Sequence, residues 1–275
     1  HTFWSPEKAF HKAPLSISFE EAKNRTRALL FDSVNLRMVA DVPVGLFLSG
    51  GYDSATTAAC LTQTHKDLKT FTVAVPEAGL NEGPKAKQIA DYLGTTHTEI
   101  TCDLHEALQV IPMLPTIYDE PFADSSAIPT FLVAKHAANS VKVALSADGG
   151  DEFFAGYNRY PYYSRIPNAV RFLPSVLGSS IANAIGFSGL SGLNAQRVQK
   201  FARLMSDFSV ESYMHAMITS MSNDQLNKLI IQRNIPEKLP FYEGRSPLAT
   251  MLLNDSINYL PNDILHKVDR ATMAV

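Results

Sequence analysis

An apolar run over 42–48 leads directly into Ser49-Gly50-Gly51-Tyr52-Asp53-Ser54 and then into a helical pattern over 54–63. No other feature of the chain limits its fold as strongly. An unalternated apolar run bounded by Pro and Gly predicts a strand buried on both faces. Similar runs recur at 70–75 and 141–145, with a more polar candidate at 97–101. Helical patterns fill the intervals at 83–93, 104–113 and 128–138. Strands alternating with helices predict an α/β fold: a parallel sheet with helices on both faces and right-handed crossovers. Ahead of the first strand, Ser18 and Glu21 form an S-x-x-E capping pattern. It predicts a helix over 18–39 with Ala22, Leu29, Leu30 and Val34 on its apolar face.

Beyond Tyr160 the strand-like runs vanish. Gly178, Gly186, Gly189 and Gly192 predict a loop or a loosely packed helical hairpin. Helical spacing returns over 196–231, with Phe201, Leu204 and Met205, and over 248–259. The expected division is an α/β part over 1–160, including the N-terminal helix, and a helical subdomain over 161–275 packed on the sheet. With 45% hydrophobic and 19% charged residues, the chain falls in the globular range, away from collagen-like, coiled-coil and disordered classes. A net charge of -3 gives no basic footprint, so nucleic acid is not an expected partner. No apolar run reaches the roughly 18 to 20 residues a bilayer span needs, so no membrane association is expected. Cys60 and Cys102 lie far apart and outside any C-x-x-C or Cys/His cluster, which argues against zinc and against a disulfide framework. A reducing, cytoplasmic setting is therefore expected. The start, His1-Thr2-Phe3-Trp4, lacks the layout of a signal peptide and reads as a cut end.

The turn from Ser49 to Ser54 carries the first chemical signal. Glycines let a backbone turn tightly and approach a ligand, successive N–H groups point inward, and a helix N-terminus adds partial positive charge. Together these favour an anion, with phosphate the obvious one. No Lys follows the glycines and the G-x-x-x-x-G-K-[ST] spacing is absent, so γ-phosphate hydrolysis is not the expected chemistry. The plainer alternative is a tight strand-to-helix turn, with Asp53 a first-turn acid favoured by the helix dipole.

A second signal, Ser146-Ala147-Asp148-Gly149-Gly150-Asp151-Glu152, follows the strand at 141–145 in the same manner. In open α/β sheets, ligands bind beyond the carboxyl ends of strands where the strand order reverses. If the strand at 141–145 lies beside the first strand, Asp53 and Asp151 face one cleft. Two carboxylates about 4 Å apart repel by about 4 kcal/mol at an effective dielectric near 20. A cation resolves that cost, and oxygen-only ligands facing a phosphate loop favour Mg²⁺. The alternative is a solvated acidic loop tip.

These segments resemble the C-terminal synthetase domain of glutamine-hydrolysing asparagine synthetases of the B type, within the PP-loop ATP pyrophosphatase superfamily. The resemblance rests on Asp41 to Gly45 running into Leu48 to Ser54, on Phe71-Thr72-Val73, on Tyr118 to Pro129, and on Leu145 to Tyr157. It also rests on Tyr259 to Asp263 with Lys267 to Ala271. It spans about 41–275, most weakly from 160 to 245. It implies an adenine nucleotide alpha hydrolase-like fold and a reaction in which ATP adenylates a carboxylate, in this family the side chain of aspartate, with release of pyrophosphate. Ammonia then gives the amide and AMP. By position, Ser49, Gly50, Gly51 and Ser54 would hold the pyrophosphate, and Asp53 and Asp151 would bind Mg²⁺. Leu48, Val73, Ser146 and Ala147 would line the adenosine pocket, with Gly149 in the same nucleotide-binding turn. Asp148 would sit beside the activated acid, to orient the nucleophile or take its proton.

The resemblance also carries departures. The family's glutaminase domain, with its terminal Cys nucleophile, is not in this sequence, so ammonia would come from elsewhere. Val275 stands where the family runs on into S-L-E-x-R-x-P-F and, later, a lysine that contacts the phosphates. These 275 residues are expected to bind ATP and Mg²⁺ yet turn over slowly or not at all. Ala147 stands where Gly is usual, and its methyl group would narrow the nucleotide pocket. The loop from Tyr118 to Pro129 is either a wall of the site or a Pro-bounded turn with a helix cap at Ser125 or Ser126. His266 and Lys267 read as a surface turn after a helix. Trp4, Tyr157, Tyr160, Tyr162 and Tyr163, lacking a basic surround, read as packing residues and not as base-stacking ones. Other readings are a tRNA-thiolating or NAD-synthesising PP-loop enzyme, or a non-catalytic nucleotide-binding module. The acid could also be a sugar acid, and the oligomeric state is not readable.

Overall fold

The computed structural model describes residues 3–75, 81–166, 204, 209–219 and 240–275. The expected Gly/Ser-rich loop over 178–192, with Phe201, Met205 and most of the helical stretch over 196–231, lies outside them. The chain's own contacts gather it into two units, residues 13–150 with 259–275, and residues 1–12 with 151–258. Sequence texture changes at 160, whereas contacts change at 150, and the last seventeen residues return to the unit that holds the sheet.

The sheet unit begins with α2 (Phe19–Leu36), after α1 (Pro6–Phe10) of the other unit. Ser18 caps α2, its hydroxyl accepting the Glu21 N–H at 3.2 Å. The helix stops three residues short of the expected Val39. Arg37 turns its guanidinium back onto the Ser33 carbonyl and hydroxyl, both at 2.7 Å. Its packing face is narrower than the sequence suggested, because Leu29 is 70% exposed while Val34 reaches the core.

Four strands follow, β1 (Val44–Phe47), β2 (Lys69–Ala74), β3 (Thr96–Thr101) and β4 (Val143–Leu145). All pair parallel in the order β3-β2-β1-β4, with Leu46 opposite Thr70 on one side and opposite Leu145 on the other. The intervening helices are α3 (Tyr52–Leu61), α4 (Gly83–Leu93), α5 (Leu104–Val110), α6 (Leu114–Tyr118) and α7 (Ala127–Ala137), with a 3-10 turn at Ile111–Met113. Strand geometry alternates side chains between faces, so neighbours separate into two cores. Leu46 and Leu48 join Ala58, Leu61, Leu68, Ala86 and Ala90 from the α3 and α4 side. Phe47, Phe71 and Ile100 join Val133 and Ala137 from the α7 side. Cys60 and Cys102 are both buried, and no disulfide joins them. The α/β class, the parallel sheet and its flanking helices are therefore as the sequence predicts.

Edge strand β3 is the polar one, and its His97 is half-buried. The imidazole Nδ1 shares a 2.9 Å hydrogen bond with the Thr70 hydroxyl, while Nε2 is shielded without a partner among the described residues. Burial holds this histidine below its ordinary value of 6.5, with Glu99 opposing the shift. A lowered folded pKa means that the unfolded chain takes up the proton first, so stability is lost as pH falls from near 6.5 toward the folded value. Denaturation midpoints measured from pH 7.5 to pH 5 should fall further for the wild type than for His97→Gln. Parallel pH profiles would contradict this.

The helical unit contains α8 (Gly150–Phe154), which starts at the last residue of the sheet unit, then α9 (Arg159–Arg165), α10 (Val210–Ile218) and α11 (Pro247–Asn254). Ser209 and Ser246 cap α10 and α11 through their hydroxyls. The core combines Tyr160, Tyr163, Leu204, Tyr213, Met214 and Met251. Where one helix was expected over 248–259, α11 gives way to a π-helical segment, Asp255–Leu265, with Pro261 inside it. Proline removes a backbone donor, so an ordinary α-helical ladder cannot run through that point. The chain ends in α12 (His266–Met273), within the sheet unit.

Candidate functional site

The strand order places the site. Chain progress runs from β1 outward to β2 and β3, then returns to the other side of β1 for β4. The reversal falls between β1 and β4, and both signal-bearing turns leave the carboxyl ends of these two neighbouring strands.

The Ser49 to Ser54 turn is held by its own side chains. Ser54, 5% exposed, sets its hydroxyl 3.0 Å from the Ser49 N–H, which it accepts, and 2.8 Å from the Ser49 hydroxyl. The Gly51 N–H donates to the Ser49 hydroxyl at 3.2 Å. Leu48 is 1% exposed, its N–H bonds the Phe71 carbonyl at 2.8 Å, and its own carbonyl accepts the Thr72 hydroxyl. Its side chain belongs to the core, so what it can offer a nucleotide is backbone shape. Val73 on β2 is half-buried between two apolar clusters.

The second turn is folded against the first. Gly149 has φ 99, a conformation open to glycine and rarely to other residues. Gly150 lies so close to Asp53 that a Cβ there would collide with the carboxylate. Ser146 donates to the exposed Asp148 carboxylate at 2.6 Å, and Ala147 is half-buried between them. Asp151 opens the helical unit, where its carboxylate occupies the space that a side chain at Gly156 would fill. Glu152 is 1% exposed, and burial pushes its carboxyl above the usual range although the Tyr157 hydroxyl donates to it at 2.6 Å.

The donor chemistry fits a hard cation. The Asp53 carboxylate would offer oxygen ligands beside backbone that has no side chain in the way. Among the described residues no group of three or more His, Cys, Asp or Glu could hold a metal by itself. Phosphate and water oxygens would therefore complete the shell, the usual arrangement for Mg²⁺.

Two clusters escaped the sequence reading. Lys267 is not on a surface turn: it lies on α12, 8% exposed, with Nζ 2.7 Å from both Asp124 Oδ2 and the Ser126 hydroxyl. The physical reason is helical spacing, since Lys267 precedes the fully buried Ala271 by four residues and so shares its inward face. Burial pushes the Asp124 carboxyl up, but bonds from Lys267 and Ser126 more than offset it and leave it below the usual range. Tyr118, pushed up to about 12 by burial and by Asp124, stacks on Phe122, and the His266 ring lies tilted to both. The turn before α7 is capped by Asp124, whose carboxylate accepts from the Ser126 N–H at 2.8 Å, and not by a serine hydroxyl.

In the helical unit, Asp255 is 1% exposed and carries the second cluster. Arg159 reaches it at 3.0 Å and 3.2 Å, and the Tyr160 hydroxyl donates to it at 2.5 Å. The same guanidinium stacks 4.1 Å over Tyr157. Tyr160 and Tyr163 are core residues, while Trp4 and Tyr162 are exposed.

A parallel sheet with a Ser-Gly-Gly turn at the reversal point, faced by a Gly-Gly turn from the next strand, defines an α/β protein of the PP-loop synthetase type. The asparagine synthase family model matches residues 25–275, and the chain belongs to that family. It is 31% identical over 277 residues to asparagine synthetase (glutamine-hydrolysing) 1 of Bacillus subtilis, covering 97% of this chain and 43% of that protein. Asparagine synthetase B of Escherichia coli is 34% identical over 167 residues, 54% of this chain and 29% of its own. The chain spans less than half the length of the curated relatives it matches. Among the described residues no helix is long and apolar enough to cross a membrane.

Proposed function

We propose that this chain is the ATP-dependent, amide-forming part of an asparagine synthetase. The carrying observation is the Ser49 to Ser54 turn at the reversal point, with Asp53 pressed against Gly150 of the neighbouring turn. Ser49, Gly50, Gly51 and Ser54 cradle the pyrophosphate end of ATP, with Asp53 and Asp151 as the carboxylate ligands of Mg²⁺. Leu48, Val73, Ser146, Ala147 and Gly149 shape the nucleotide pocket. An oxygen of the substrate carboxylate, that of aspartate, attacks the α-phosphorus, and the bond to the β-phosphate oxygen breaks to release pyrophosphate. Bound Mg²⁺ offsets charge on that leaving group. Ammonia, supplied by glutamine hydrolysis outside these 275 residues, then attacks the acyl carbon. AMP departs, and Asp148 orients the amine or takes its proton.

Little covalent chemistry is asked of the protein, so placement of charge and exclusion of water carry the rate. ATP–pyrophosphate exchange over a panel of acids tests the reading. Slow exchange that depends on aspartate is expected, and Asp53→Asn should lower it by about a hundredfold. Exchange that ignores the acid, or no binding of Mg·ATP, sinks it. Exchange driven only by a sugar acid would move the substrate and keep the chemistry.

A further inference from the structure

The Ser49 to Ser54 turn has no lysine of its own, unlike a P-loop. The fold brings one from elsewhere. Gly50 faces Lys85, thirty-five residues later and in the first turn of α4: a Cβ at Gly50 would meet Lys85 Cβ at 2.7 Å and Cδ at 3.2 Å. The lysine stem therefore lies across the glycine, and Nζ, two bonds beyond Cδ, stays within a few ångströms of the turn.

The placement follows from how α4 is pinned. Gly83 is buried, its N–H donates to Asn81 Oδ1 at 3.1 Å, and a side chain there would strike Glu99, Ala74 and Asn81. Ala86 is fully buried in the core on the other side of Lys85. Between two fixed neighbours the Lys85 backbone keeps its Cβ directed at Gly50. Its head remains exposed, and among the described residues no hydrogen bond or ion pair engages it. An ammonium with no counter-charge among the described residues, carried on a stem that lies against the Gly50 backbone, is suited to an anion.

We infer that Lys85 contacts the pyrophosphate portion of the nucleotide, supplying the cation that the turn lacks. This rests on the reading of that turn as the pyrophosphate cradle. Lys85 would draw charge off the β- and γ-phosphates while leaving the adenosine end untouched.

Calorimetric titration of the 275-residue chain with Mg·ATP, Mg·pyrophosphate and AMP separates the possibilities. Lys85→Met should weaken Mg·ATP and Mg·pyrophosphate by about tenfold, the loss of one charge-assisted contact, and leave AMP unchanged. Lys85→Arg should restore most of the difference, and the wild type should lose more affinity with added salt than Lys85→Met. The residue is exposed, so thermal midpoints should stay level. If Asp53→Asn weakens Mg·ATP while Lys85→Met binds all three ligands as the wild type does, the inference falls and the cradle stands. Equal loss of AMP also overturns it. If the wild type binds neither Mg·ATP nor Mg·pyrophosphate, the cradle and the inference fall together.

Discussion

Arg159→Met should destabilise the protein by about 3 to 5 kcal/mol, the cost of leaving one partner of a buried ion pair uncompensated. Asp255 is 1% exposed, and the guanidinium at 3.0 Å is the only opposite charge that the described contacts give it. Tyr160 contributes a hydrogen bond but no charge. The expected drop in thermal midpoint is about 10 °C for a chain of this size. Burial already pushes the Asp255 carboxyl above the usual range, against the pull of Tyr160 and Arg159. Without the arginine it rises further. A raised folded pKa makes stability complete below the unfolded value and lost as pH climbs through the folded one, so the deficit should shrink in acid. Adding Asp255→Leu to the variant should recover most of the loss, since apolar replacement of a buried pair is often neutral. A deficit below about 1 kcal/mol, or one indifferent to pH, would show that the pair is not the anchor its geometry suggests.

Gly150→Ala should strike the ligand instead. The new Cβ would occupy the space of the Asp53 carboxylate and turn it aside. Displacing a carboxylate that helps hold a metal costs about 10- to 100-fold in affinity, so Mg·ATP binding should fall by that amount while the thermal midpoint moves little. The neighbouring change gives the opposite signature. At Gly149, φ 99 makes any side chain strained, and Gly149→Ala should lower stability before it lowers affinity. Equal behaviour of the two variants would sink the assignment of Asp53 to the site.

Much of the sheet unit was legible because its signals are local. The α4 span matches the predicted 83–93 to the residue, with Gly94 in the left-handed cap position at φ 69. The apolar runs at β1, β2 and β4 needed no context either. Leu29 shows the limit, since helical spacing offers several faces and the sheet chooses one. The burial of Lys267 and the approach of Lys85 to the turn were not legible, because each owes its position to a partner far along the chain, Asp124 and Gly50 respectively. The π-helical segment was missed for a different reason. Leu248 to Tyr259 carries ordinary helical periodicity, and only Pro261, just past it, marks the point where that ladder must change.

The serine hydroxyls at 49 and 54 have one more implication. They tie the strand end to the first helical turn through bonds within the chain itself, so the mould is cast when the chain folds. A loose loop would have to freeze at the moment of capture, and each triphosphate arriving would meet that resistance anew. Here the ordering cost falls once, on folding. Enthalpy from the incoming charge could therefore appear almost undiminished as affinity.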